Sequence, residues 1–274
     1  MIRDITIGQY YKADSWVHRL DPRVKLVTTL LFLISLFLTR SIMTYLLATL
    51  WLIVVIKSSK VPFRFVIRGL KAIVILLLVT ALLNFFMLKG GDVLVHIWKL
   101  TITTEGVATT IFIAIRLIYL IIGSSIMTLT TTPTALTDGI ESLLGPLAKL
   151  HVPVHEIAMM MSIALRFIPI LLEETDKIMK AQLARGADFE SGNIFHRVKA
   201  MVPILVPLFV SAFRRANDLA LAMEARCYHG GEGRTRMKPL HYQRRDYLAY
   251  GGMLLYMIAS VVGGKWLPLH WWVF

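Results

Sequence analysis

The chain has 274 residues, of which 56% are hydrophobic and 17% are charged. Soluble domains carry about 25% charged residues, so this composition argues against a soluble protein and favours a polytopic membrane protein. The 30 Lys and Arg residues outnumber the 17 Asp and Glu residues. Because the basic residues alternate with apolar segments, they indicate membrane orientation and not nucleic-acid binding. The single cysteine, Cys227, excludes a disulfide framework and a multi-cysteine metal cluster.

Four apolar segments in the first half of the chain predict membrane helices, and a fifth lies near the C-terminus. The first two are shorter than the roughly 20 residues that a bilayer requires, so we predict that they form a tight helical hairpin around Arg40 and Ser41. The predicted spans cover residues 24–39, 42–56, 69–88, 107–130 and 247–263.

The basic residues of the short connections predict the orientation of these spans. Residues 1–25 and the second connection together contain ten Lys and Arg, whereas the connections on the opposite side contain four. Cytoplasmic connections of membrane proteins are enriched in Lys and Arg. We therefore predict a cytoplasmic N-terminus and, after five spans, a C-terminus outside the cell.

Residues 131–245, between the fourth and fifth spans, have the periodicity of helices and not of a linker. Thr132 followed by Pro133 marks the start of the first of these helices. The first predicted helix ends near residue 149, the second covers 153–185 and the third covers 194–226.

Two apolar runs within these helices, 157–172 and 200–213, decide the topology. Runs of this length more often lie in the interface or in a buried core than across a bilayer. The sequence thus predicts an all-α polytopic membrane protein of about five spans, with a cytoplasmic or interfacial domain of three coupling helices inserted before the last span. The predicted divisions are residues 1–130, 131–245 and 246–274.

The second and third of these helices end alike, 41 positions apart. A single arginine at a helix C-terminus is explained by the helix dipole, which favours it by about 0.3–1 kcal/mol. Two copies in the same alanine frame favour docking, because a narrow helix end with a projecting guanidinium can form a bidentate bond with a partner's carboxylate. The matching residues are Ala184, Arg185 and Gly186 at one end, and Ala225, Arg226 and Cys227 at the other.

These motifs resemble those of the transmembrane T component of energy-coupling factor importers of vitamins and metals. The resemblance covers nearly the whole chain, and it departs from the family pattern at Cys227, where the family has glycine. It rests on residues 20–26 (LDPRVKL), 131–133 (TTP), 165–169 (LRFIP), 184–186 (ARG), 222–226 (AMEAR) and 230–236 (GGEGRTR).

The resemblance implies a subunit in the cell membrane of a prokaryote that scaffolds a larger complex. Family members bind two ABC-type ATPase subunits and a small, membrane-embedded, substrate-binding S component. Carried onto this chain, Arg185 and Arg226 are the residues that dock into the two ATPases. Closure of the ATPases on ATP would move both helices and tip the S component so that it opens inward.

The sequence also predicts that the chain is not itself an enzyme and binds no cofactor. No segment matches the phosphate-binding pattern G-x-x-x-x-G-K-[ST], so ATP hydrolysis requires partners. Two alternatives stay open. One is a T component dedicated to cobalt or nickel, and the other is a self-sufficient secondary transporter, which would need polar groups at mid-membrane.

The apolar faces of the second and third coupling helices are predicted to contact the S component, since methionine repacks easily on different partners. The alternative is that these side chains pack the helices together or rest on lipid. The residues are Met159, Met160, Met161, Val202, Leu205, Phe209 and Phe213.

Arg116 lies about ten residues into the fourth predicted span, where a charge is a functional candidate by default. Because the first four spans contain no Asp or Glu, we expect Asn84, a backbone carbonyl or another subunit as its partner, or else snorkelling towards an interface. Arg166 and Pro169, in the second coupling helix, are predicted to be structural.

His151, His155 and Glu156 do not predict a metal site. Pro153 breaks the helix between the two histidines, so the spacing that would align metal ligands on one helix face is lost. An interfacial turn between coupling helices explains these residues better.

Overall fold

The computed structural model describes residues 10–38, 41–71, 73–87, 93–97, 100–189, 193–230, 237 and 239–266. Two of the features named above lie outside this part, namely Arg40 and residues 231–236 of the GGEGRTR motif. The helices are α1 (Pro22–Leu38), α2 (Ile42–Ser59), α3 (Phe63–Lys71), α4 (Val74–Met87), α5 (Thr104–Thr130), α6 (Pro133–Leu144), α7 (Val154–Ala184), α8 (Ile194–Glu224) and α9 (Arg244–Trp266).

The predicted all-α polytopic fold is confirmed, with one addition. Between α4 and α5 the chain forms a short antiparallel hairpin of β1 (Val93–Ile97) and β2 (Leu100–Thr103). The hairpin leads directly into α5, whose first turn is capped by Thr103: its side-chain oxygen accepts a hydrogen bond from the Gly106 amide at 3.2 Å.

The chain divides into two compact units. Residues Ile140–Pro239, which contain α7 and α8, form one unit, and the remainder of the described chain forms the other. A 3₁₀ turn over Gly145–Leu150 links α6 to α7.

The core of the second unit joins α1, α2, α5 and α9. Small residues allow these helices to approach closely, as is typical of membrane bundles. Ala48 is fully buried, and a Cβ added to Gly123 would lie 3.0 Å from the ring of Phe32. The buried members of this core include Phe32, Leu36, Ala48, Leu52, Ile122, Ile126, Leu129, Met253 and Tyr256.

The third predicted span is not one straight helix. The chain bends by 55° between α3 and α4. α3 carries the basic residues Arg64 and Lys71, and it approaches α5 so closely that a Cβ on Gly69 would lie 2.9 Å from Ser125 Oγ. The predicted continuous helix over 69–88 is therefore wrong at its start, since residues up to Lys71 belong to a separate amphipathic helix.

By length and apolar character, four helices of the described chain could cross a membrane: α2, α5, α7 and α9. The number rises to five if α3 and α4 form one bent span. This agrees with about five predicted spans, but the set differs. α1 has 17 residues, about 26 Å of helix, and is not in the set, whereas α7, predicted to be interfacial, is.

Candidate functional site

The C-terminal end of α7 closes with the hydrogen bonds of a Schellman motif. The amide of Gly186 donates to the carbonyl of Leu183 at 3.0 Å, and the amide of Ala187 donates to the carbonyl of Gln182 at 3.0 Å. Gly186 has φ +85°, the left-handed conformation that this motif requires. Arg185 immediately precedes it and is exposed.

The end of α8 has the same geometry in the same frame. The amide of Cys227 donates to the carbonyl of Glu224 at 2.8 Å, and the amide of Tyr228 donates to the carbonyl of Met223 at 3.1 Å. Cys227 has φ +57° and so takes the place of Gly186. Arg226 precedes it and is exposed, as is Cys227.

The repeated sequence motif is therefore a repeated three-dimensional motif. In each copy the arginine lies one residue before the left-handed residue, with an exposed alanine, Ala184 or Ala225, on its N-terminal side. Among the described residues, neither Arg185 nor Arg226 has a side-chain hydrogen bond or an ion pair. Within the described part of the chain, both guanidinium groups are therefore without a hydrogen-bond acceptor.

An ion pair joins α7 and α8 at matching positions. Arg215 Nη2 donates to Glu174 Oε2 at 2.7 Å, and both side chains are partly exposed. Glu174 lies eleven residues before Arg185, and Arg215 lies eleven residues before Arg226. Each arginine is therefore about 16 Å along its helix from the pair.

A second contact shows the relative direction of the two helices. Gln182 Nε2 lies 3.5 Å from the carbonyl oxygen of Pro203. This carbonyl lacks its helical partner because residue 207 is also a proline and has no amide hydrogen. Between the two contacts, residue numbers rise along α7 and fall along α8. The helices are thus antiparallel, and the two arginines lie on opposite sides of the ion pair.

Apolar side chains on both helices are exposed. On α8, Phe209 is 62% exposed and Phe213 69%, and on α7, Met160 is 59% exposed. Met161, Val202 and Leu205 are also exposed, whereas Met159 is half-buried. Six of the seven residues predicted from the sequence as a contact surface thus lie open on this unit.

Comparison with known proteins settles the family. Residues 13–237 match a family model described as "Cobalt transport protein", CbiQ. The chain is 54% identical to the energy-coupling factor transporter transmembrane protein EcfT of Clostridium kluyveri, over 97% of this chain and 99% of the relative. It is 54% identical to EcfT of Ruminiclostridium cellulolyticum (94% and 96% covered) and 52% identical to EcfT of Bacillus subtilis (90% and 93%). The chain belongs to the CbiQ/EcfT family.

CbiQ/EcfT membership confirms the resemblance seen in the sequence motifs. It places the chain among transmembrane components of energy-coupling factor transporters, which are membrane subunits and not catalytic enzymes. Since the relatives are bacterial and the described chain contains several apolar helices, the chain belongs to a cell membrane.

Arg116 of α5 has partners that the sequence did not predict. Its Nε donates to the hydroxyl of Tyr45 at 3.1 Å, and its guanidinium carbon lies 5.6 Å from the ring centroid of Phe37. A phenol and an aromatic face can hold a cation without a carboxylate. Tyr45 also packs against Phe112, with ring centroids 5.5 Å apart.

The remaining candidates lie on or next to α7. Arg166 and Pro169 are exposed on the helix. His155 Nδ1 is 2.9 Å from Glu141 Oε1 of α6, so this histidine ties the first two coupling helices together. His151 has φ +61° and closes the preceding 3₁₀ turn, as expected for a turn residue.

Proposed function

We propose that the chain is the scaffold and coupling subunit of an ATP-driven importer of vitamins or other micronutrients. In this proposal it transmits conformational change from two ABC-type ATPase subunits to a membrane-embedded S component. The observation that carries the proposal is the pair of matching helix ends, each presenting one exposed arginine without a described partner. A capping function alone accounts for the hydrogen bonds at the two ends, but it would not require the same alanine and arginine frame at both.

Each helix end has the shape and charge for docking into a partner groove. Alanines keep the end narrow, and the arginine supplies a planar fork of donors that suits a carboxylate. Loss of one partner of such a buried, hydrogen-bonded charge pair costs about 2–5 kcal/mol of binding. We therefore assign Arg185 to one ATPase subunit and Arg226 to the other, with Ala184, Gly186, Ala225 and Cys227 shaping the two ends.

Docking to two cytoplasmic ATPases requires both arginines on the cytoplasmic side. This requirement decides whether α7 can span the membrane. Although α7 is long and apolar enough to span, Arg166 lies exposed near the middle of its apolar stretch. A charge at the bilayer centre costs about 2.5–3.5 kcal/mol. Because α7 and α8 are antiparallel, spanning by both would also put the two arginines in opposite compartments.

We therefore propose that α7 and α8 lie at the cytoplasmic interface and that the N-terminus is cytoplasmic. The membrane spans are then α1, α2, the bent pair α3 and α4, α5, and α9. α1 qualifies because it shares the core of the bundle through Phe32 and Leu36 while Phe37 and Leu38 face outward and are exposed.

The exposed apolar side chains of α7 and α8 are the proposed contact surface for the S component. Such a large apolar area is unusual on a soluble surface and indicates a partner or lipid. The prolines inside both helices remove backbone hydrogen bonds, and a helix deforms most easily at such positions. Movement of the two anchored ends would thereby reach this surface.

The transported substrate belongs to the S component, so this chain does not determine it. A module dedicated to cobalt or nickel is the alternative, favoured only by the description of the matching family model. Affinity purification in mild detergent separates the two. Several different small membrane proteins with two ATPases indicate a shared module, and one constant membrane partner indicates a dedicated one.

The docking assignment is tested by charge reversal at both tips. Arg185→Glu with Arg226→Glu should abolish copurification of the ATPases, while each single change should weaken it. Arg214→Glu is the matched control, since Arg214 is an exposed arginine on α8 three turns before Arg226. Normal assembly and transport by the double variant would overturn the assignment.

The proposed topology can be tested with the natural cysteine. Cys227 is exposed, lies beside Arg226 and is the only cysteine of the chain. A membrane-impermeant maleimide should label it only after cells are permeabilised. Ala187→Cys in a Cys227→Ser background reports the other tip in the same way. Labelling of either tip in intact cells would contradict the cytoplasmic location.

A further inference from the structure

A group of buried charged residues at the start of α1 has no function in the docking scheme above. Asp21 is 8% exposed and Lys25 6%, and Asp246 of α9 is 1% exposed. Burying charges is costly unless they are paired and hydrogen-bonded. Here every one of these side chains has a described partner, so the cluster is a specific structure.

Lys25 holds the connection that leads into the coupling helices. Its Nζ donates to the carbonyl of Thr130 at 2.8 Å and to the carbonyl of His18 at 3.0 Å. Thr130 is the last residue of α5, so the ammonium group caps that helix end. The same connection is held further on by a close approach: a Cβ on Gly139 would lie 3.1 Å from Pro22 Cβ.

Asp21 and Arg23 hold the connection that leads back out. The amide of Asp21 donates to Asp246 Oδ1 at 2.9 Å, and the amide of Gln243 donates to Asp246 Oδ2 at 2.7 Å. Arg23 Nη2 donates to Asp21 Oδ2 at 3.1 Å, and its guanidinium carbon lies 4.2 Å from the ring centroid of Tyr242.

Both covalent routes between Ile140–Pro239 and the bundle therefore reach the same short segment. The end of α5 and the start of α6, which lead into this unit, contact Lys25 and Pro22. The residues at the start of α9, which lead out of it, contact Asp21 and Arg23. These residues are separated in sequence from their partners by 105 and 225 positions. One segment of five residues, 21–25, thus fixes the positions of both routes.

We propose that Asp21, Arg23 and Lys25 form a clamp that fixes both connections, so that displacement of the coupling helices is passed to α5 and α9. This inference rests on the proposed function, because it assumes that nucleotide moves α7 and α8. The clamp residues act as positioning residues, since they touch neither the ATPases nor the transported substrate. If the clamp is lost, the coupling helices still respond to nucleotide, but the bundle does not.

The experiment uses the complete complex with its ATPases, purified in nanodiscs. Hydrogen exchange is compared between an ADP state and an ATP–orthovanadate state in two regions, the coupling helices α6 to α8 and the clamped ends of α5 and α9. In the unaltered chain both regions should change with nucleotide. In Lys25→Met and in Asp246→Asn the change in α6 to α8 should persist, while that at the ends of α5 and α9 falls at least fivefold.

Two further variants keep the test decisive. Arg19→Ala is the matched control, since Arg19 pairs with Asp14 on the exposed surface and should leave both regions unchanged. Arg23→Gln removes the contact with Tyr242 and leaves Lys25 on Thr130, so it should reduce the nucleotide response at the end of α9 and spare that at the end of α5, even if Lys25→Met fails to fold. Lys25→Arg, which can still donate to both carbonyls, should restore the response.

The outcomes separate the clamp from the docking proposal. An unchanged nucleotide response at the ends of α5 and α9 in the clamp variants overturns the clamp. Equal losses in both regions also overturn it, because they indicate only a structural effect. Loss of ATPase copurification in Arg185→Glu with Arg226→Glu is independent of these readings, so the docking proposal can stand or fall by itself.

Discussion

The left-handed residues that end α7 and α8 differ in type, and exchanging them should move the stability of the two ends in opposite directions. Gly186 has φ +85° and Cys227 has φ +57°. We expect Cys227→Gly to stabilise the end of α8 and Gly186→Ala to destabilise the end of α7. Because a Cβ on Gly186 meets no atom within 4 Å, the second effect is conformational and involves no clash.

The size of the effect follows from two opposing contributions. An L-residue in the left-handed region costs about 1–2 kcal/mol. Glycine offsets part of this, because it loses about 0.4–1 kcal/mol more conformational entropy on folding. The net free energy of opening each helix end should therefore change by about 1 kcal/mol, which corresponds to a factor of about five in the opening equilibrium.

Hydrogen exchange measures this local opening directly. The amide of Tyr228 should exchange about fivefold more slowly in Cys227→Gly, and the amide of Ala187 about fivefold faster in Gly186→Ala, after correction for intrinsic rates. Gly145→Ala is the control, since Gly145 has no positive φ and open space around its Cβ position. Shifts of the same sign at both ends would refute the reasoning.

Two other predictions concern the α7–α8 pair and the segment before α1. Glu174→Arg and Arg215→Glu should each weaken the pairing of the two helices by about 0.5–1 kcal/mol, and the double swap should restore most of it, as measured by thermal unfolding in detergent; additive losses would contradict the contact. Burial lowers the pKa of His18 below its ordinary value of 6.5, so its stabilising contribution is present above pH 6.5 and is lost as the pH falls through the lowered pKa. Thermal stability should accordingly drop between pH 7 and pH 5, and His18→Gln should flatten this dependence; an unchanged pH profile in that variant would count against it.

Local signals in the sequence predicted most helix boundaries well. Thr132 and Pro133 marked the start of α6, and the hydroxyl of Thr132 does accept a hydrogen bond from the Ala135 amide at 3.3 Å. The alanine and arginine repeats marked the ends of α7 and α8 within two residues. Such signals work because caps and terminators act within a few residues of the chain.

Contacts between distant parts of the chain could not be predicted in this way. The bond between Asp21 and Asp246 joins residues that only the folded bundle brings together. Arg116 was expected to pair with Asn84, a backbone carbonyl or another subunit, or to snorkel towards an interface, whereas within the described chain it donates to the hydroxyl of Tyr45 on another helix. The left-handed conformation of Cys227 could not be predicted from its residue type either, because a residue with a Cβ rarely adopts a positive φ. Two helices also differ from their predicted placement in length and apolar character. α1 was predicted to span but is not among the helices long and apolar enough to cross a membrane, whereas α7 was predicted to be interfacial and is among them.

The equal spacing of the two arginines from the Glu174–Arg215 pair has a mechanical consequence. Because the two distances are equal, a displacement of about 3 Å at either helix end would rotate that helix by roughly 10° about the ion pair, which lies about 16 Å away. If the two ATPases of the proposed complex displace the two tips by the same distance, α7 and α8 would therefore rotate by the same angle about the Glu174–Arg215 contact.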